Sequence, residues 1–328
     1  MRDDEILAEV LEAEARIRSH VRETPLELSP YLSAEAEADV YLKLESHQIT
    51  GSFKLRGAMN KCLSLSKGER SRPIVTASSG NHAGAIAYTL KELGGTGIIY
   101  LPSTVSRAKV EALEPYVSQG SHGSYGVELR FVGSDSVEGE LEARRVAREE
   151  GLLYVSPYSD PQIIGGQGTV AVEIERQLER FDAVFVPVGG GGLIAGIAGY
   201  FKARSPSVRI VGCQPEASRV MYESIAAGRI LDIPSDPTLA DGTAGGLDPE
   251  AITFPICQRD VDDMVLVSED EIAQAMRLAI EKHSMLIEGA AALSIAAFRK
   301  KRAPHRGQTV VLVVSGKKVS LDTLRSLL

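Results

Sequence analysis

The chain has 328 residues, 44% of them hydrophobic, enough to bury one large core or two modest ones. Its formal net charge of −8 comes from acids spread along the sequence, a balance that argues against nucleic acid as a partner. No apolar run approaches the ~20 residues of a membrane span, and the acidic start MRDDEILAEV is unlike a secretion signal, so a cytoplasmic protein with no membrane partner is expected.

Short runs rich in Val and Ile predict strands at Val40 to Leu44, Ile74 to Ala77, Gly97 to Leu101, Val127 to Val132, Ala183 to Val188, Val208 to Cys213 and Thr309 to Val314. Amphipathic helical stretches lie between most of them, the α/β pattern of parallel sheets covered by helices. Cys62, Cys213 and Cys257 are far apart, with no CxxC pair, and read as reduced core thiols.

Several strands end at glycine or serine clusters, where open α/β sheets bind ligands. The first chemical cluster is GSFKLRGA, Gly51 to Ala58, in which Lys54 opens a helix. Partial burial would favour its neutral amine, the form a Schiff base requires, although a solvated helix lysine is the commoner reading of this motif when it stands alone. The second, TASSGNHAGA, brings Ser78, Ser79, Gly80, Asn81 and His82 to a helix N-terminus, which suits a carboxylate and equally suits ordinary capping.

The third cluster follows the strand AVFVPV with four consecutive glycines, Gly189 to Gly192, and then Leu193 at a helix start. Four residues without side chains let backbone N–H groups close around a phosphate. Gly190, Gly192 and Ala195 also satisfy a loose dinucleotide pattern, but the next strand ends at Cys213 and Gln214, with no acid where that pattern needs one. Finally, the last strand ends at Ser315 and Gly316, a place for a hydroxyl facing a ring nitrogen or for a plain turn.

In order and spacing these clusters resemble the fold-type II pyridoxal phosphate (PLP) enzymes, the tryptophan synthase β-like fold, and within them the threonine/serine dehydratase and serine racemase branch. RETPLELSP (Arg22 to Pro30), GGQGTVAVEI (Gly165 to Ile174), LADGTAGG (Leu239 to Gly246) and IEGAAA (Ile287 to Ala292) extend the resemblance over nearly the whole chain. It implies two open parallel-sheet domains with the cofactor in the cleft: a large domain from residues 1–69 and 153–328, and a small inserted domain at 70–152. It also implies that Lys54 holds PLP, Phe53 packs on its ring and Asn81 binds the ring hydroxyl. Gly189, Gly190, Gly191, Gly192 and Leu193 would hold the phosphate, Gly242 would lie near the ring and Ser315 would face the pyridine nitrogen. The substrate carboxylate would rest on Ser78, Ser79, Gly80, Asn81 and His82. The implied activity is conversion of L-threonine, L-serine or a related small β-hydroxy amino acid to a 2-keto acid and ammonia, by a homodimer.

Ser79 keeps racemisation open, because racemases of this branch carry a serine there as a second base. Against it, Gln214 and Val220 stand where metal-binding racemases carry acids, so no metal is expected. The arginine those racemases use has no evident match in Ser134 to Arg145. Three further departures stand out: SGKK at Ser315 to Lys318, an apparent insertion from Glu114 to Gly126, and Tyr158 at a place of polar cofactor contact. The insertion leaves room for an altered substrate of the hydroxyaspartate type. No C-terminal regulatory domain, and so no feedback inhibition, is expected.

Overall fold

The computed structural model describes residues 1–105, 107–117, 126–133 and 136–327, and it places two sheets side by side. The larger has six strands in the order β1-β2-β10-β7-β8-β9: β1 Leu26–Leu28, β2 Asp39–Leu44, β7 Ala183–Pro187, β8 Arg209–Pro215, β9 Asp263–Val267 and β10 Thr309–Val314. The smaller has the order β5-β4-β3-β6, with β3 Ile74–Ala77, β4 Thr96–Leu101, β5 Gly126–Phe131 and β6 Leu153–Tyr154. Among the described residues every pairing between these strands is parallel except β1 with β2, which is antiparallel. All seven expected strands are present, with ends shifted by two residues at most. The small sheet includes β6, two residues past the expected 70–152 span.

The two-residue period of the large sheet divides its core. Ala183, Phe185, Val310, Leu312 and Val314 face one helical layer, whereas Val184, Val186, Val311 and Val313 face the other. The helix Gly289–Lys301 is buried from Gly289 through Phe298 because its sequence, GAAALSIAAF, is small and apolar all round. The three cysteines are buried free thiols. On the small sheet, the helix Asn81–Leu93 covers one face and Ser136–Glu149 the other.

The helix Lys54–Ser64 joins the two halves, packing on both Pro161–Gln177 and Asn81–Leu93. A Cβ on Gly166 would lie 2.6 Å from the backbone of Arg56 and of Gly57, so the glycines of GGQG allow this close approach. Beside it lies a buried ionic cluster. Arg56 donates to Glu45 (2.8 Å) and Glu173 (2.7 Å), and Lys43 donates to Glu173 (2.6 Å). Burial alone would raise the Glu173 carboxyl, but Arg56 and Lys43 hold it far below the usual carboxylate range. Removing one partner from such a group costs about 3–5 kcal/mol, because it leaves a buried charge unpaired.

Candidate active site

Lys54 is placed by the far end of the large sheet. Ser52 pairs with Gly316 in an isolated antiparallel bridge, the Phe53 N–H donates to the Ser315 carbonyl (3.2 Å), and the Lys317 N–H donates to that of Gly51 (3.0 Å). Gly51 turns the chain at φ +79°, a left-handed conformation that favours glycine. Two remote sequence motifs therefore meet at the floor of the site. The half-buried Lys54 Nζ donates to the Pro157 carbonyl (2.8 Å) and sits 5.2 Å from the Phe53 ring centroid. Burial pushes its ammonium down to about 8, against the opposing pull of Glu288.

Strand β7 runs into Gly189–Gly192, and the helix Gly192–Arg204 begins there with Gly191 at φ +87°. A Cβ on Gly190 would lie 2.4 Å from the Tyr158 ring, one on Gly192 3.0 Å from Tyr158 Cα, and one on Gly189 3.1 Å from Thr243 Cα. Glycine is thus required by packing as well as by turn geometry. Among the described residues, none of the four loop N–H groups donates to a backbone carbonyl, which leaves them for an anion at the helix N-terminus. Leu193 behind them is buried. Tyr158 accepts from the Asp248 N–H (2.8 Å), and burial pushes its phenol up to about 12, so it remains neutral.

On the facing wall, β3 ends at Ser78, Ser79 and Gly80, all half-buried, ahead of Asn81 at the helix start. The Ser78 Oγ accepts from the Gly80 N–H (3.2 Å). His82 is buried, with Nε2 3.1 Å from the Thr76 hydroxyl, which itself donates to the Val155 carbonyl. His82 therefore donates through Nε2–H. Burial and the nearby Lys54 charge push its imidazolium down to about 3. With its ring neutral and turned into the fold, His82 offers an anion its backbone N–H rather than its side chain.

Asn81 closes the constellation. Its Nδ2 donates to Glu288 Oε1 (3.0 Å) and Oε2 (2.9 Å), while its Oδ1 is buried without a partner. Gly242 and Gly316 flank the same carboxylate: a Cβ would lie 3.7 Å and 2.5 Å from Glu288 Oε1, respectively. Ser315 directly follows β10 and is buried beside them. Lys54, Asn81, Gly242 and Ser315 thus converge, and Tyr158 and Thr243 support the glycine loop.

Gln214 accepts from the Tyr222 N–H (2.8 Å), and Val220 begins a buried helical turn. Arg144 pairs with Asp248 at the edge of the cleft. Of the Glu114 to Gly126 insertion, Glu114–Tyr116 forms a short 3₁₀ turn, and residues 118–125 lie outside the described residues. Ser134 does as well. Sequence reasoning missed Glu288 as a site residue, although an acid immediately before a wholly apolar helix was a usable signal.

This donor set fits a phosphate-bearing aldehyde. A lysine easily neutralised faces the cleft, a glycine cradle offers free N–H groups, and an orphaned amide oxygen awaits a polar partner.

Comparison with known proteins agrees. Residues 17–316 match the family described as "Pyridoxal-phosphate dependent enzyme". The chain is 39% identical over 319 residues to the catabolic L-threonine dehydratase TdcB of Staphylococcus aureus, covering 96% of this chain and 89% of that protein. Its structure is similar to the processed form of threonine deaminase isoform 2 from Solanum lycopersicum, with TM-score 0.91 and 33% identity, covering 99% of this chain and 87% of that one. It is also similar to maize serine racemase, with TM-score 0.89 and 33% identity over 98% and 95% of the two chains.

Proposed function

This chain belongs to the pyridoxal-phosphate dependent enzymes, and from that premise we propose that it is an ammonia-lyase acting on L-threonine or L-serine. The observation that carries this reading is the Lys54 amine, 2.8 Å from the Pro157 carbonyl with its ammonium lowered by burial to about 8, set between a glycine cradle and the open Ser78–Asn81 helix start. When bound, PLP supplies an electron sink that lowers the cost of removing the substrate α-proton.

The chain's residues supply the rest. The N–H groups of Gly189 to Gly192 and Leu193 would hold the phosphate, Phe53 would pack on the ring, Asn81 would face the ring hydroxyl, Gly242 would leave space at the ring and Ser315 would face the ring nitrogen. The Ser78–His82 segment holds the substrate carboxylate through its N–H groups and hydroxyls. Lys54 would hold the cofactor through Nζ and, once that amine is free, would take the substrate α-proton there. Loss of the β-hydroxyl as water and hydrolysis of the remaining enamine give ammonia and 2-oxobutanoate from threonine, or pyruvate from serine. A homodimer is the assembly this reading carries.

Ser79 favours one second reading. A hydroxyl on the wall across from Lys54 can return a proton to the opposite face, which is racemisation. One assay separates the two: ammonia and keto-acid release across L-threonine, L-serine, D-serine and threo-3-hydroxyaspartate, with chiral analysis of the unreacted substrate. Keto acid formed without enantiomer exchange is the expected result. Exchange outpacing elimination would overturn the lyase reading.

A further inference from the structure

Glu288 is a buried acid, 5% exposed, that the chemistry above does not use. The other buried carboxylates have cations beside them: Glu45 and Glu173 have Arg56, and Asp260 has Arg259. Among the described residues no cation comes within ion-pairing distance of Glu288. Its side chain accepts from the Asn81 amide and from the Lys318 backbone N–H (3.2 Å), and its own N–H donates to the Gly316 carbonyl (3.2 Å). An acid held this way, at the cost of desolvation, needs a reason beyond stability.

The contact with Asn81 supplies one. When ionised, a carboxylate only accepts, so above about pH 7 it fixes which way the amide points: Nδ2 toward Glu288 and Oδ1 away. That Oδ1 is the buried atom left without a partner. We propose that Glu288 is a positioning residue acting through Asn81: it locks the amide oxygen toward the cofactor's ring hydroxyl, and its negative charge favours the proton shared between that hydroxyl and the Lys54-linked nitrogen. The tight fit at Gly316, where a Cβ would lie 2.5 Å from Oε1, keeps the carboxylate from turning away.

The charged groups around Glu288 are Lys54 from its helix, Asp241 from the 3₁₀ turn Asp241–Thr243, and Lys318 after β10. Burial raises the Glu288 carboxyl to about 7, Asn81 opposes that rise and Asp241 adds to it. Lys54 is consumed in holding the cofactor, so Asp241 and Lys318 are the neighbours left, and they act on the Glu288 carboxyl with opposite signs.

The inference rests on the cofactor, not on the substrate, and its test reads the bound cofactor directly. The visible band of the purified holoenzyme is titrated with pH for the wild type, Glu288→Gln, Asn81→Ala and the double variant. Removing the carboxylate charge weakens the hold on that proton, so the Glu288→Gln midpoint is expected to fall by about one pH unit, a tenfold change in proton affinity. Because the effect passes through Asn81, Glu288→Gln should move the midpoint much less in the Asn81→Ala background. Glu288→Asp keeps the charge but withdraws it by one methylene, and should give a smaller shift; it serves the same test should the glutamine variant fail to fold. A lowered melting temperature with an unmoved midpoint would reduce Glu288 to a structural role and overturn the proposal. Equal shifts in both backgrounds would also overturn it, because Asn81 would then not be the intermediary. Absence of any band in the wild type would instead be a failure of the cofactor assignment.

Discussion

The two walls of the cleft present the same sequence signature, a strand running through small residues into a helix, for different physical reasons. On the large-sheet wall, a Cβ at Gly189, Gly190, Gly191 or Gly192 would meet a neighbour at between 2.4 and 3.1 Å. On the small-sheet wall, a Cβ at Gly80 meets nothing within 4 Å, although its backbone (φ −118°, ψ −139°) lies outside the extended and helical regions that residues with a Cβ favour. The first wall is closed by its own packing, and its glycines belong to the fold as much as to the ligand. The second is open, so substitutions there report on what binds rather than on what folds.

The sharpest way to break this contrast is to add one methyl group to each wall. Gly190→Ala drives Cβ into the Tyr158 ring, and overpacking of this kind costs about 1–3 kcal/mol. The loop must shift to relieve it, so cofactor retention is expected to weaken on the order of 100-fold along with a lower melting temperature. Gly80→Ala should retain the cofactor and raise KM, with a melting temperature lowered only by backbone strain and not by a clash. Dialysis followed by absorbance, thermal melts and steady-state kinetics measure all three, and equal cofactor loss in the two variants would dissolve the distinction.

A second test concerns the lysine between the walls. Because burial lowers the Lys54 ammonium to about 8, its neutral fraction rises with pH through that value. Cofactor uptake by the stripped protein, followed by growth of the visible band, should therefore accelerate about tenfold from about pH 7 to about pH 9. An ordinary exposed lysine would show its rise at distinctly higher pH, so a midpoint above about 10 would mean that the burial of Lys54 does not set its reactivity.

The closed wall was legible in the sequence and the connections between motifs were not. Strands such as AVFVP and TVVLVV bury both faces and read as unbroken apolar runs, which is why the class and seven strands could be expected. β1, β6 and β9 were missed because they are short or partly exposed strands with little pattern of their own. Lys54, the Gly189–Gly192 loop and Ser315 announce themselves as punctuation at strand and helix ends. The Arg56–Glu45–Glu173–Lys43 cluster does not, since charged residues read as surface until the fold gathers them. Glu288 was hidden in the same way: the motif IEGAAA was visible, but the direction of its carboxylate toward Asn81 depends on the meeting of two domains.

That meeting is itself testable, with the smallest expected effects. Two ion pairs join the small-sheet helices to the segment 241–248 beside the glycine loop: Lys109 with Asp241 (3.2 Å), and Arg144 with Asp248. Lys109 and Asp241 are exposed (43% and 61%), so water and salt screen them, and Lys109→Ala should change KM by less than about twofold. Arg144 is more sheltered; it also pairs with Glu140 and lies 5.1 Å from the Tyr154 ring centroid. Its partner Asp248 donates its N–H to Tyr158, the ring that closes Gly190. Arg144→Ala therefore loosens both the contact between walls and a support of the closed one. The expected signature is a KM raised severalfold at little cost to kcat, persisting in high salt where the Lys109→Ala effect vanishes. If raising the salt erased both effects alike, the Arg144 contact would be no more than a surface pair, and the closed wall would owe its rigidity to packing alone.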